Sequence, residues 1–255
     1  MSLATLPKTV RTFARLRVIA QVLSKHGFGH FVDRLQLGGY LSPTRLIRRR
    51  PRAEEEPEHL DPLEAIGKRL VRVCEELGPT FVKLGQIAAT RADLLPAPIL
   101  TQLESLQTQV TPFPSEQAKR IFQQDTGTPV ERAFREFADE PFASGSIAQV
   151  HRAVTTDGQQ VVVKIRRPGI ERVIQLDIYV LKFMADQAEA LFPELRPFRP
   201  KMLVEEFTQA LMRELDFINE ASATARFHEA FKKDSQITTP QVRWDLTAPR
   251  VLTLE

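Results

Sequence analysis

Apolar residues recur at helical spacing near the start of the chain, over residues 9–26. The apolar face of this segment holds Phe13, Leu16, Ile19, Ala20 and Leu23. Arg11, Arg15 and Lys25 lie roughly opposite that face. The pattern predicts a basic amphipathic helix, which can lie on an anionic membrane surface. An ordinary helix packed on a domain would show the same pattern.

The segment over residues 62–138 also shows helical periodicity. Asp61 is a plausible N-cap with Pro62 at the first helical position, and Gly78 ends that helix. Pro79 opens the next helix. The sequence therefore predicts a helical region between the basic arm and the rest of the chain.

The periodicity changes after Glu140. Two short segments rich in β-branched residues, "PFASGSIAQVHRAV" and "QQVVVKIRRP", are separated by the hairpin signal "TTDG". Long helical patterns follow over about residues 170–192 and 201–233. Two short strand patterns, "TPQVRW" and "RVLTLE", come last. This order predicts an α+β fold.

Charge is spread unevenly along the chain. Residues 1–52 carry a net charge of +10 and the remainder −7. This distribution indicates a basic docking arm and, with few aromatic residues beside it, excludes nucleic-acid binding. The charge-dense, proline-broken stretch over residues 45–62 marks a boundary. We therefore predict three segments: a basic arm and linker (1–52), a helical extension (53–138) and an α+β domain (139–255).

Other features exclude further classes. Cys74 is the single cysteine, so an intramolecular disulfide is impossible and a reducing compartment is the simplest reading. The chain contains no apolar run near the roughly 18 residues that would span a bilayer. Arginines interrupt the N-terminal apolar positions, which excludes a signal peptide.

Lys164 and Glu214 are the first candidate functional residues. Lys164 lies in "VVVKIRR", which predicts a strand buried on both faces, so its ammonium needs a counter-charge. Glu214 falls within the apolar stripe of the 201–233 helix and needs a partner too. We expect these two residues to pair. The alternatives are a lysine that reaches solvent at a strand end and a partly exposed helix acid.

Two further segments carry candidate chemistry. The small residues Ala143 to Ser146 form a turn whose backbone N–H groups can approach a phosphate closely. A small-residue hairpin, a strand lysine and a helix glutamate follow one another as in the N-lobe of a protein kinase. Lys83 and Gln86 share a helix face with Gly85 between them, which suits docking over a polar site. A solvated face with an incidental glycine would look the same.

These residues resemble the UbiB/AarF (ABC1-type) atypical kinase-like family, the ubiquinone-biosynthesis accessory proteins. "GPTFVKLGQ" resembles the KxGQ motif of that family, and "FASGSIAQVHRA" resembles its alanine-rich loop, with Gly145 where alanine is common. "VVVKI" is similar to its nucleotide-contacting strand, "RELDFINEA" to its ExD helix, and "PRVLTLE" to the strand that enters the hinge.

The resemblance implies a kinase-like N-lobe, with a small antiparallel sheet and a long helix, behind a helical N-terminal extension. It implies binding of ATP or ADP with Mg²⁺. The implied nucleotide-site residues are Ala143, Ser144, Gly145, Ser146, Lys164, Glu214 and Glu255. The residues implied to gate the cleft are Lys83, Gly85, Gln86, Asp216 and Glu220.

The resemblance also sets expectations beyond the motifs. A kinase C-lobe, with its catalytic loop and metal ligands, is expected beyond residue 255, so we expect this chain to be inactive alone. Expected partners are an anionic membrane surface, through residues 9–26, and ubiquinone-biosynthesis proteins or lipid. The expected location is the cytoplasmic side of a bacterial inner membrane. The alternative function is a non-catalytic module that docks on a membrane or partner.

Overall fold

The computed structural model describes residues 10–35, 37, 61–106 and 110–255. These residues fall into two compact units, each considered separately below. The helical unit holds the described residues up to Leu106 together with Arg172–Thr208. The sheet unit holds the described residues from Val110 to Glu171 together with Gln209–Glu255. Most of the predicted boundary over residues 45–62 lies outside the described residues.

The secondary structure elements follow in chain order. The helices are α1 (Val10–Lys25), α2 (Gly29–Arg34), α3 (Pro62–Leu77), α4 (Pro79–Ala89), α5 (Ala97–Leu103), α6 (Ser115–Thr126), α7 (Val130–Ala133), α8 (Ile170–Leu191), α9 (Pro200–Leu215) and α10 (Phe217–Phe231). Short 3₁₀ helices cover Pro193–Phe198 and Trp244–Leu246. The strands are β1 (Phe134–Phe137), β2 (Ala143–Ser144), β3 (Ala148–Thr155), β4 (Gln160–Arg166) and β5 (Val251–Leu254).

Local capping chemistry sets the ends of α3. The Asp61 side chain accepts a hydrogen bond from the backbone N–H of Leu63 at 2.9 Å, and Pro62 occupies the first turn. Gly78 ends the helix with φ at +95°, a region that favours glycine. Pro79 then begins α4. The predicted boundaries of this helix are confirmed.

The apolar face of α1 is covered by protein within the helical unit. Leu16, Ile19 and Ala20 have no exposed surface. Arg15, expected on the solvent side, instead donates to the buried carboxylate of Asp177. Of the two sequence interpretations, packing on the domain is the one that describes this helix.

Asp177 of α8 is the centre of a buried polar network. Its side chain is fully buried and accepts hydrogen bonds from the guanidinium of Arg15 and from Thr80 Oγ1, the latter at 2.6 Å. A second nitrogen of Arg15 donates to the carbonyl oxygen of Leu77 at 2.7 Å. The network therefore connects α1 and the α3–α4 junction to α8, which belongs to the helical unit from Arg172 onward.

The sheet unit contains a five-stranded antiparallel sheet. Its order is β1–β3–β4–β5, and β2 pairs with β3. β1 corrects the prediction of helix throughout residues 62–138. Phe134, at the start of β1, is 3% exposed and its ring lies 5.1 Å from that of Phe122 in α6. Burial of this aromatic pair under the sheet outweighs the local helical pattern.

Burial alternates along β4. Val163 and Ile165 are fully buried and face the core beneath the sheet, whereas Val162 and Lys164 lie on the opposite, half-buried face. The prediction of a strand buried on both faces is therefore wrong, because the face of β4 that carries Lys164 is only half-buried.

The predicted helix over residues 201–233 is two helices. α9 ends at Leu215, and Asp216 adopts an extended conformation before α10. The Asp216 carboxylate accepts a hydrogen bond from the Ile218 N–H at 3.0 Å and so caps α10. A single helical wheel therefore does not describe which faces the residues before and after Asp216 occupy.

The last part of the chain contributes one strand to the sheet. β5 covers most of the predicted "RVLTLE" strand and pairs with β4. The other strand pattern, over residues 239–244, forms only an isolated bridge between Val242 and Leu254.

Gln149 and His151 are fully buried polar residues of β3. Gln149 bonds both backbone groups of Phe113, at 3.0 and 3.1 Å, and donates from Nε2 to His151 Nε2 at 2.9 Å. His151 Nδ1–H then donates to the carbonyl of Ala138 at 2.8 Å. Burial lowers the pKa of His151, which agrees with the neutral imidazole that this arrangement requires. The network attaches both flanking segments to the sheet.

Candidate functional site

Lys164 is held by the first turn of α10. Its Nζ donates to both carboxylate oxygens of Glu220, at 2.9 and 2.7 Å. The same ammonium lies 4.9 Å from the centre of the buried Phe217 ring. The lysine and glutamate side chains are 28% and 44% exposed. Lys164 is therefore fixed in direction at a surface that solvent, and a ligand, can reach.

The partner of Lys164 differs from the one that we expected. We predicted Glu214, on the assumption of one continuous helix, and the structure gives Glu220. The break at Asp216 resets the helical phase, so Glu220 lies in the first turn of α10, beside β4. A strand lysine paired with a helix glutamate is the ion pair that orders the active site of protein kinases.

The pair contributes little to stability. An ion pair with this much solvent exposure is worth about 0–1 kcal/mol. Its geometric effect is larger, because two hydrogen bonds to one carboxylate fix the position of an otherwise mobile ammonium. The arrangement therefore places a positive charge at a defined point on the sheet.

An apolar strip lies beside Lys164 on the same face of the sheet. Val150 is the neighbour of Lys164 on β3, and Val162 is paired with Leu254 on β5. All three of these apolar side chains are half-buried. We did not single them out from the sequence, because the continuous apolar run around Lys164 does not show which face of the strand is covered. Together they form an apolar surface next to a fixed cation.

Part of the predicted small-residue turn is a β-strand. Ala143 and Ser144 form β2, paired with β3, and Ser146 is 3% exposed. The Gly145 N–H, which we expected to approach a phosphate, donates to the Ala148 carbonyl at 2.8 Å. The nucleotide-contacting role of this turn stays a prediction, and the Gly145 N–H is engaged within the turn itself.

The close approach at Gly85 is made within the helical unit. A Cβ at this position would lie 2.3 Å from Leu106 Cδ1 and 3.1 Å from Cys74 Sγ. Gly85 is therefore required for the packing of α4 against α3 and the end of α5. The structure gives Gly85 this packing role, and its approach to a cleft stays a prediction. Burial raises the pKa of the Cys74 thiol to about 12, which keeps it protonated.

The remaining predicted site residues have these positions. Lys83 is half-buried on α4, and Gln86 Nε2 donates to the Leu106 carbonyl at 3.4 Å within the same unit. Asp216 acts as the cap of α10. Glu255 follows β5 and is exposed. Gating by these residues stays a prediction.

The described residues also bear on a membrane span and a metal site. None of the helices that these residues form is both long and apolar enough to cross a bilayer. Within the same part of the chain, no three His, Cys, Asp or Glu side chains lie together as a potential metal site.

The family of the protein follows from comparison with known sequences. Residues 105–255 match the ABC1 atypical kinase-like domain. The match covers more than half of the chain and includes β1–β5 and the Lys164–Glu220 pair. The chain therefore belongs to the ABC1 atypical kinase-like family, as the motifs suggested.

Curated relatives share about two fifths of their aligned residues with this chain. The probable protein kinase UbiB of Marinobacter nauticus is 42% identical over 201 residues, which are 78% of this chain and 37% of the relative. The probable protein kinase UbiB of Cellvibrio japonicus is 41% identical over 74% of this chain and 34% of its own length. The chloroplastic protein ACTIVITY OF BC1 COMPLEX KINASE 7 of Arabidopsis thaliana is 40% identical over 71% of this chain and 26% of its own length. The chain thus spans much less than two thirds of these relatives.

A solved structure shows a similar fold. Rv3197 from Mycobacterium tuberculosis, determined in complex with erythromycin, aligns with a TM-score of 0.52 and 28% sequence identity. The alignment covers 76% of this chain and 48% of the other. The fold is therefore α+β with a kinase-like N-lobe, as predicted.

Proposed function

We propose that this chain forms the nucleotide-binding lobe of an ATP-dependent atypical kinase or ATPase that supports ubiquinone biosynthesis. The observation that carries the proposal is the Lys164–Glu220 pair beside an apolar strip. The relatives named UbiB favour the biological role. Lys164 would contact the α- and β-phosphates, and Glu220 would hold Lys164 in place.

The adenine ring would lie on the strip formed by Val150, Val162 and Leu254. Apolar side chains with one fixed polar group beside them are the usual lining of small-molecule sites. The Ala143–Ser146 turn would cover the phosphates.

Mg²⁺ would accompany the nucleotide and neutralise charge on its phosphates. The described residues do not contain a cluster suited to a metal ion, so we assign no ligand for it within them. The chemistry proposed for this chain is therefore limited to binding and orienting the nucleotide through Lys164, Glu220 and the turn.

The test is calorimetric titration of the full-length protein with ADP and with a non-hydrolysable ATP analogue. The proposal predicts saturable binding at one site, with each nucleotide competing for the other. Adenosine alone should bind more weakly, because it cannot contact Lys164. Absence of saturable binding by either nucleotide would contradict the proposal.

Peripheral association with an anionic membrane is a second proposal, revised by the structure. The apolar face of α1 is buried and Arg15 is paired inward, whereas Arg11 and Arg17 are exposed. Association would therefore be electrostatic and would place the protein at the cytoplasmic face of the membrane.

An Arg11→Glu/Arg17→Glu variant should co-sediment less with anionic vesicles at low salt. Undiminished co-sedimentation would refute a role for this helix.

A further inference from the structure

Arg167, the residue after β4, bridges several groups of the sheet unit. Its Nε donates to the Gly145 carbonyl at 2.9 Å, and one terminal nitrogen donates to Ser144 Oγ at 2.7 Å and to the Thr111 carbonyl at 3.0 Å. Its backbone N–H donates to the Ile147 carbonyl at 2.8 Å. One arginine therefore contacts both ends of the small-residue turn.

The segment over residues 110–113 completes this arrangement. The Val110 N–H donates to the Ser144 carbonyl at 3.1 Å. Phe113 is fixed to β3 through the side chain of Gln149, and the Arg167 guanidinium lies 5.6 Å from the centre of the Phe113 ring. The turn is thus attached to a neighbouring segment that is itself attached to the sheet.

The oxygens that accept these hydrogen bonds from the Arg167 side chain are neutral: two backbone carbonyls and the Ser144 hydroxyl. Burial lowers the pKa of this guanidinium. Partial burial of a charge is costly, and hydrogen bonds to neutral oxygens offset that cost only in a well-defined geometry. The contacts therefore define the conformation of the turn more than they add to stability.

The bond to the Gly145 carbonyl has a particular consequence for the turn. A peptide that follows glycine can rotate between orientations more freely than others, because glycine lacks a Cβ. In a planar trans peptide the carbonyl and the N–H point in opposite directions. Fixing the Gly145 oxygen on Arg167 therefore also fixes the direction of the Ser146 N–H.

We propose that Arg167 is a positioning residue that locks the Gly145–Ser146 peptide and thereby sets the affinity of the site for the phosphates of the nucleotide. This inference rests on the proposed function. It assigns no direct contact between Arg167 and the nucleotide.

The experiment compares Arg167→Gln and Arg167→Lys with wild type in the full-length protein. Arg243→Gln is the matched control, because Arg243 bonds Gln159 Oε1 at 2.7 Å at the other end of the β3–β4 hairpin. Two readouts are taken: amide hydrogen exchange of residues 143–147 without nucleotide, and affinity for adenosine, ADP and a non-hydrolysable ATP analogue.

Arg167→Gln should raise exchange in the turn and weaken ADP and the ATP analogue by about tenfold, with adenosine affinity unchanged. Arg167→Lys should recover part of the protection, because one ammonium can reach fewer of these acceptors than the guanidinium fork. Arg243→Gln should leave both readouts at wild-type values.

Unchanged exchange in Arg167→Gln would overturn the inference. Equal weakening for adenosine and ADP would also overturn it, since that outcome reports a general structural loss. If wild type binds none of the three compounds, the proposed function fails and the claim about affinity fails with it. The exchange result would then still decide separately whether Arg167 fixes the turn.

Discussion

Replacing Arg15 with methionine should lower the free energy of unfolding by about 3–5 kcal/mol, the usual cost of leaving one member of a buried ion pair alone. Asp177 has no exposed surface, and its retained hydrogen bond from Thr80 cannot neutralise its charge. Methionine preserves much of the length of the arginine stem, so the loss reports charge and hydrogen bonding more than packing. Urea unfolding followed by circular dichroism measures this loss. Tryptophan fluorescence would not report directly on the helical unit, because the single tryptophan, Trp244, lies in the sheet unit.

Arg17→Met is the matched control for this experiment. Arg17 lies on the same helix and is exposed, so its replacement should change stability by less than about 0.5 kcal/mol. Adding Asp177→Leu to Arg15→Met should recover much of the lost stability, because the unpaired charge is removed. A loss below 1 kcal/mol for Arg15→Met alone would show that the pair does not hold α1 on the helical unit.

Replacing Lys164 with methionine should weaken ADP binding by about tenfold to a hundredfold. The estimate takes one charge-assisted contact with phosphate as worth about 1.5–3 kcal/mol. Stability should change little, since the Lys164 side chain is 28% exposed and its ion pair is partly solvated. Titration calorimetry of the full-length protein measures the affinity, and thermal unfolding measures the stability.

Lys119→Met is the control for Lys164→Met. Lys119 belongs to the sheet unit and is likewise paired with a carboxylate, that of Asp139 at 2.8 Å, but it lies on α6 and not on the strip face of the sheet. Its replacement should leave ADP affinity unchanged. Equal effects of the two substitutions would mean that Lys164 acts through general charge and not through contact with the nucleotide.

Local sequence signals predicted the elements whose ends depend on local chemistry. The limits of α3 follow from Asp61, Pro62 and Gly78, each of which acts within one turn of the helix. The β3–β4 hairpin follows from "TTDG", and Gly158 indeed has φ at +90°. Such features need no knowledge of distant residues, so the sequence suffices for them.

The partner of Lys164 could not be chosen by periodicity alone. A helical wheel assumes a continuous helix, and the break before Phe217 makes that assumption fail for Glu214 and Glu220. The signal was present, because Asp216 is a good N-cap residue immediately before an apolar position. The resemblance implied a gating role for Asp216, and its capping role was not predicted.

The sequence shows that a face is apolar or bare, but not what covers it. The apolar face of α1 suits a membrane or a protein equally, and the buried Asp177 that binds Arg15 lies 162 positions away. Gly85 likewise indicated a close approach, whereas the approaching atoms belong to Leu106 and Cys74. Such partners are set by tertiary packing, which a local pattern does not contain.

The most direct test of the nucleotide site is a double-mutant cycle between Lys164→Met and Glu220→Gln, with ADP affinity as the readout. We predict that Glu220→Gln alone weakens binding and that the double variant binds no more weakly than Lys164→Met, because Glu220 acts by holding Lys164. Independent, multiplicative effects of the two substitutions would contradict the account, since they would show that the pair does not act as a unit on the nucleotide.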